Sequence, residues 1–300
     1  MPSAKGLSHR ATVESGVAIK VADRGVAIRN AELLLRKLGI ASIDVHRIQD
    51  LPIEQIMSAY FDVCADLGGV DLNVASFAPS VDRGILPQHP FDPRASPVSA
   101  GIPVMIGHTR TEWTGLTTDA SLWNLDELRM ESHVNKMLGH DSADIISLYR
   151  KQNPGATPSD LFFLIASDYH YGAPTMKIAE RRAALNKSPV YLYYFTWATP
   201  VQDGQLQTPH NMDIPFAFDY VQISASLTGG GPDAMALADR VSDTWIAFAR
   251  TGNPNNPKLP EWPQFDAKKR ATMVFNNEIQ VVDDPLKEQR EAMFRALNLS

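Results

Sequence analysis

Pro189-Val-Tyr-Leu-Tyr-Tyr-Phe-Thr-Trp197 decides the fold class. β-Branched and aromatic residues fill this run, the types a pleated, buried surface prefers, so residues 189–197 read as the strongest strand of the chain. Around it, short runs of the same kind alternate with longer segments of helical periodicity, which predicts an α/β architecture with mainly parallel strands. After it, residues 232–250 predict a helix through Ala238, Val241, Trp245, Phe248 and Ala249, stopped by Gly252 and Pro254. Helical spacing puts Trp245 and Phe248 in the core. Thr272-Met-Val-Phe275 and Ile279-Gln-Val-Val282 read as a terminal hairpin.

Before it, residues 125–185 predict three or four helices, broken at Pro154, Pro158 and Pro174. Asp168-Tyr-His170-Tyr171 reads there as a partly buried helix face with its polar tips satisfied. Residues 103–106 predict a buried strand that passes through Gly107 into a loop holding Glu112. Pro79, Pro87, Pro90, Pro93, Pro97 and Pro103 exclude a helix or central strand from residues 77–103. Residues 51–67 and 23–38 carry helical patterns, the latter with Ala27, Ala31, Leu34, Leu35 and Leu38 on one stripe and Gly39 as its stop. Residues 10–13 predict a short strand ending in a turn at Glu14-Ser15-Gly16. No internal repeat and no long linker interrupts the series, so residues 1–300 are expected to be a single domain.

Composition narrows the function. With 28 basic against 34 acidic residues the net charge is −6, which repels phosphate backbones and argues against nucleic-acid binding. The single cysteine, Cys64, excludes an intrachain disulfide and a CxxC motif, and reads as a small buried apolar side chain. No apolar run reaches the ~18 residues of a membrane helix, and residues 1–10 lack an apolar signal region. No membrane partner is expected. A cytoplasmic location suits the chain as written, with secretion of a longer parent left open.

Two residues stand out by position. Glu112 follows the end of one strand and His210 follows the end of another. In open parallel sheets the carboxyl ends of strands form the edge where active sites collect. A carboxylate and an imidazole delivered there can serve as the orienter and general base of a hydrolytic triad. Other motifs carry less. Gly229-Gly-Gly-Pro232 lacks the Lys-Ser/Thr of a phosphate loop and reads as a surface loop. His108 and Glu112 lie four residues apart in what reads as a loop with no third ligand, so no metal is expected.

Longer stretches around these residues carry a resemblance. Pro103-Val-Met-Ile-Gly-His-Thr-Arg-Thr-Glu-Trp113 and Thr208-Pro-His-Asn-Met-Asp-Ile-Pro-Phe-Ala-Phe218 are similar to the acid and histidine loops of type-B carboxylesterases, the cholinesterase-like family. Gly6-Leu-Ser-His-Arg-Ala-Thr-Val-Glu-Ser-Gly16, Val81-Asp-Arg-Gly-Ile-Leu-Pro87, Trp245-Ile-Ala-Phe-Ala-Arg-Thr-Gly-Asn-Pro254, Glu261-Trp-Pro263 and Met273-Val-Phe275 match in order. A minor departure is Arg83, where the family usually carries glycine. The resemblance implies the C-terminal part of an α/β-hydrolase fold: a mainly parallel sheet flanked by helices, with a terminal hairpin. It implies carboxylic ester hydrolysis without a cofactor, with Glu112 as triad acid and His210 as general base. More weakly, it implies Ser15 as a support behind the acid and Asp213 as a carboxylate near the histidine.

Gly-x-Ser-x-Gly, the elbow that exposes the nucleophile, is absent from the 300 residues. Gly6-Leu-Ser8-His-Arg10 fails at its last position, and Glu14-Ser15-Gly16 lacks the first glycine. The resemblance therefore implies an incomplete domain beginning just after the nucleophile, inactive alone and exposing an apolar sheet edge that favours aggregation. Expected partners are a small-molecule carboxylic ester in the intact parent and a missing N-terminal half. Two alternatives stay open: a non-catalytic cholinesterase-like interaction module, and one half of a split esterase complemented in trans.

Overall fold

The computed structural model describes residues 1–16, 18–67, 77–82 and 84–299, so the family departure at Arg83 lies outside the described residues. The chain divides into two compact units: Met1–Lys5 with Ala18–Val98, and Gly6–Val17 with Ser99–Ser300. In the first, helix α1 (Arg24–Lys37) is capped by Asp23, which accepts from the amides of Gly25 and Val26, and helix α2 (Ile53–Asp66) follows. Its buried side chains include Leu35, Ala59, Val63 and Cys64. The stripe expected on α1 is shallow: Leu35 is buried, Leu34 and Leu38 are half-buried and Ala31 is exposed.

The second unit holds strands β1 (Ala11–Glu14), β2 (Val104–Thr109), β3 (Val190–Phe195), β4 (Ala271–Phe275) and β5 (Gln280–Asp283), adjacent in chain order. The first four are parallel, and β5 closes one side as an antiparallel hairpin with β4. Among the described residues β1 has β2 as its one strand neighbour. All six residues of β2 and of β3 are buried, the signature of central parallel strands covered on both faces.

Helices supply the cover. They are α3 (Glu127–Leu138), α4 (Ser142–Gln152), α5 (Pro158–Ser167), α6 (Ala173–Ala183), the short α7 (Asp213–Ala217) and α8 (Ala225–Thr228), then α9 (Pro232–Thr251) and α10 (Lys287–Ala296). Tyr191, Tyr193 and Phe195 alternate onto one face of β3, against Phe216, Trp245, Phe248, Trp262 and Phe275. Trp245 and Phe248 are buried there as their spacing requires.

Two expectations need correction. Pro174 does not break the helix: α5 passes into α6 through a π turn, Asp168–Gly172, in which the Ala173 amide bonds to the Asp168 carbonyl. A wider turn accommodates a proline, which has no N–H to give and whose ring crowds the preceding turn. His108 is not in a loop; it is the fifth residue of β2, which runs on to Thr109 before turning. Gly229, by contrast, is a turn residue: it ends α8 with φ +72°, a left-handed conformation that glycine adopts without strain.

Candidate active site

Neighbouring strand ends bring Glu112 and His210 together. β2 and β3 pair in register through Thr109 and Phe195, and the Arg110 amide donates to the Phe195 carbonyl at 2.9 Å just past the ladder. Beyond it the chain makes a tight turn, Glu112–Gly115. That turn is stitched to the histidine loop. The Thr111 amide donates to the Thr208 carbonyl at 3.1 Å, the Thr208 amide donates to Thr111 Oγ1 at 2.8 Å, and Thr114 Oγ1 donates to the Leu206 carbonyl at 2.7 Å. Gly115 permits this closure, because a β-carbon there would lie 2.8 Å from the His210 nitrogen and 3.0 Å from Pro209 Cβ.

The Glu112 side chain is fully buried, and an ionised carboxylate at such depth needs donors. It has three. Ser15 Oγ donates to Oε1 at 2.5 Å, the Thr109 amide donates to the same oxygen at 2.7 Å, and His210 Nδ1 meets Oε2 at 2.5 Å. Ser15 reaches the acid from the end of β1, where its amide bonds to the Gly107 carbonyl and its φ is +58°. For a residue with a β-carbon that left-handed conformation costs on the order of 1 kcal/mol, offset here by the bond to a buried charge.

Because Nδ1 faces a carboxylate, the neutral His210 ring carries its proton on Nδ1 and presents a lone pair at Nε2. The side chain retains 20% exposure, so a reacting group can approach that nitrogen. The Tyr171 ring packs 5.4 Å from the imidazole, centroid to centroid. Burial pushes the Tyr171 hydroxyl up to about 12, with the Glu112 charge adding to the effect, so it stays protonated beside the pair.

Asp213 opens α7 three residues after His210, yet its hydrogen bond goes to the Tyr193 hydroxyl at 2.7 Å rather than to the imidazole. Tyr193 reaches it across Gly107, its register partner on β2, where a β-carbon would overlap the phenol ring. Burial pushes the Asp213 carboxyl up to about 7, the Tyr193 bond opposing and the Glu14 and Glu112 charges reinforcing.

Sequence reasoning missed the Thr109 amide and Tyr171. A backbone donor leaves no residue-type signal, and Tyr171 was read as part of a helix face, whereas it sits on the π turn Asp168–Gly172. Among the described residues no three His, Cys, Asp or Glu side chains gather to hold a metal ion, and no helix is long and apolar enough to cross a membrane.

The carboxylesterase family profile matches residues 1–294. The chain belongs to the carboxylesterase family. Similar relatives include the para-nitrobenzyl esterase of Bacillus subtilis, 26% identical over 98% of this chain and 58% of that protein. The phenmedipham hydrolase of Pseudarthrobacter oxydans is 28% identical over 92% of this chain and 56% of that protein. Among solved structures, the Geobacillus stearothermophilus carboxylesterase EST55 superposes with a TM-score of 0.80 at 29% identity, covering 98% of this chain and 60% of that one. The chain thus spans between half and two thirds of the length of these carboxylesterases. Its mainly parallel sheet, flanking helices and terminal hairpin are those of the α/β-hydrolase fold.

Proposed function

We propose that this chain contributes the acid and the base of a Ser-Glu-His triad to a carboxylic ester hydrolase. The nucleophile and the oxyanion-hole amides would come from the part of a carboxylesterase that the chain does not span. The observation that carries this reading is the bond between buried Glu112 and His210 Nδ1, with Nε2 left as the basic nitrogen.

In that reaction a serine oxygen attacks the acyl carbon while His210 Nε2 takes the hydroxyl proton. Glu112 stabilises the imidazolium that forms, through Nδ1–H. His210 then returns the proton to the departing alkoxide, leaving an acyl-serine ester. Water attacks that ester by the same relay, releasing the carboxylic acid and restoring the serine. Ser15 and the Thr109 amide hold Glu112 aimed at the ring, and Asp213 acts on the histidine loop through Tyr193 rather than on the ring. The 300 residues contain no Gly-x-Ser-x-Gly elbow, so the chain alone is expected to be inactive.

A p-nitrophenyl acetate assay tests both parts. The purified chain should show no turnover above the uncatalysed rate. Adding the N-terminal portion of a related carboxylesterase as a separate polypeptide should restore turnover that His210→Ala abolishes. Turnover by the chain alone that His210→Ala removes would overturn the assignment of the nucleophile. Restored turnover that survives His210→Ala would overturn the assignment of the base.

A further inference from the structure

The fold leaves the hydroxyl of Tyr171 unused. Tyr149 donates its hydroxyl to Asp168 at 2.5 Å and Tyr193 donates to Asp213 at 2.7 Å, yet the Tyr171 hydroxyl is bonded to no described group. Nor is it sealed in. Tyr171 keeps 8% exposure, and its oxygen is not closed off from solvent.

The π turn that carries Tyr171 is fastened on two sides. A β-carbon on Gly172 would stand 2.5 Å from Asp168 Oδ1 and 3.2 Å from Nε2 of buried His108, so glycine lets the turn settle against β2. On the other side, His170 stacks on Trp113, the residue after Glu112, with ring centres 4.4 Å apart and planes 13° apart. The Trp113 amide also donates to Ser167 Oγ at 3.1 Å, just before the π turn. The segment that presents Tyr171 is therefore tied to the turn that holds Glu112.

A histidine that returns a proton to the departing alkoxide must have the alcohol oxygen within reach of Nε2, so the alcohol part of a bound ester lies beside the imidazole. The Tyr171 ring, 5.4 Å from that imidazole, adjoins the same space. A phenol that stays protonated there has one hydrogen to donate. We propose that Tyr171 is a specificity-determining residue: its hydroxyl donates to an oxygen carried by the alcohol part of the ester, favouring oxygen-bearing alcohols over hydrocarbon ones. The proposal rests on the reading of His210 as general base and deepens it by naming the substrate class.

The test compares butyl acetate with 2-methoxyethyl acetate, which differ by an oxygen in place of one methylene. The chain alone is expected to leave both esters intact, so each can be titrated into the full chain at pH 7 and followed by the His210 ring resonances. In Tyr171→Phe the ratio of the two affinities, methoxyethyl over butyl, should fall about fivefold, the worth of one neutral hydrogen bond, with butyl acetate binding as before. A purely structural role would weaken both esters alike and leave the ratio unchanged, which would overturn the proposal. So would the failure of both esters to shift the His210 ring. In the wild-type chain 2-methoxyethyl acetate, and not butyl acetate, should also shift the Tyr171 Cζ resonance, which reports hydrogen bonding of the hydroxyl. That measurement decides alone should Tyr171→Phe fail to fold. Neither readout involves proton transfer, so a failure of the base assignment appears in the turnover assay and leaves these results standing.

Discussion

Glu112 with His210, and Asp168 with His108, are two buried carboxylates each beside an imidazole in one unit, built to opposite rules. Glu112 is enclosed by three donors that reach it from three segments, and its histidine is partly open to solvent. Asp168 has the Tyr149 hydroxyl, and its histidine is closed in with no protein partner described. Desolvation therefore dominates the second pair: burial pushes Asp168 up to about 6, with the Tyr149 bond and the Arg110 charge opposing, and pushes His108 down to about 4. Partners, rather than depth, separate the two pairs: the three donors around Glu112 have no counterpart around Asp168 and His108.

The largest effect should come from breaking the first pair. In an esterase assembled with the N-terminal portion of a related carboxylesterase, Glu112→Gln should lower kcat by about 10,000-fold while leaving the fold intact, read from p-nitrophenyl ester turnover. A loss under tenfold would mean that Glu112 does not orient the base.

Breaking the second pair should appear as pH-dependent stability, with opposite signs for its two members. Asp168 has a folded pKa above its ordinary 3.8, so its favourable contribution is present below that value and is lost as pH rises through about 6. Relative to wild type, Asp168→Asn should therefore gain about 3 kcal/mol of stability between pH 4 and 6. His108 has a folded pKa below its ordinary 6.5, so its contribution is present above 6.5 and is lost as pH falls through about 4. Relative to wild type, His108→Phe should gain about 3 kcal/mol as pH falls from 6.5 to 4. Urea melts of the three proteins across that range check both curves, and slopes of the same sign would erase the contrast between the pairs.

Ser15→Ala sharpens the comparison by removing one of the three donors to Glu112, a step toward Asp168 with its one described donor. It should cost about 2 kcal/mol, seen as a lower urea midpoint. An unchanged midpoint would mean that the Ser15 bond adds nothing to folding. The smallest effect belongs to an ion pair outside both sites. Arg150 and Glu127 meet side by side at 2.6 and 3.2 Å, with each side chain about half exposed. Solvent screening should hold the cost of Arg150→Ala to about 0.5 kcal/mol in the same melts, despite the good geometry.

Much of this was legible before any coordinates. The aromatic run at residues 189–197 announced β3, because a strand covered on both faces must be apolar throughout, and β2 followed the same logic, while the hairpin was read from the two short runs 272–275 and 279–282. Glu112 and His210 were legible because each follows a strand and sits in an ordered family motif. The π turn was not. Pro174 is a strong breaker in an ordinary α-helix, and only the packing around residues 168–172 shows the chain widening one turn to continue. His108 was misread as part of a loop because its strand runs two residues past Gly107.

Residue types and their order settled the α/β class and the buried strands, since burial and backbone preference act locally along the chain, and they pointed to Glu112 and His210 through strand-end position and family motif. Which groups surround each carboxylate was decided by tertiary structure alone. Ser15, Thr109 and His210 converge on Glu112, and Tyr193 reaches Asp213 over Gly107, because separate segments close to within hydrogen-bonding distance. The charge state of a buried group depends on such distances, and no local pattern in a sequence records them.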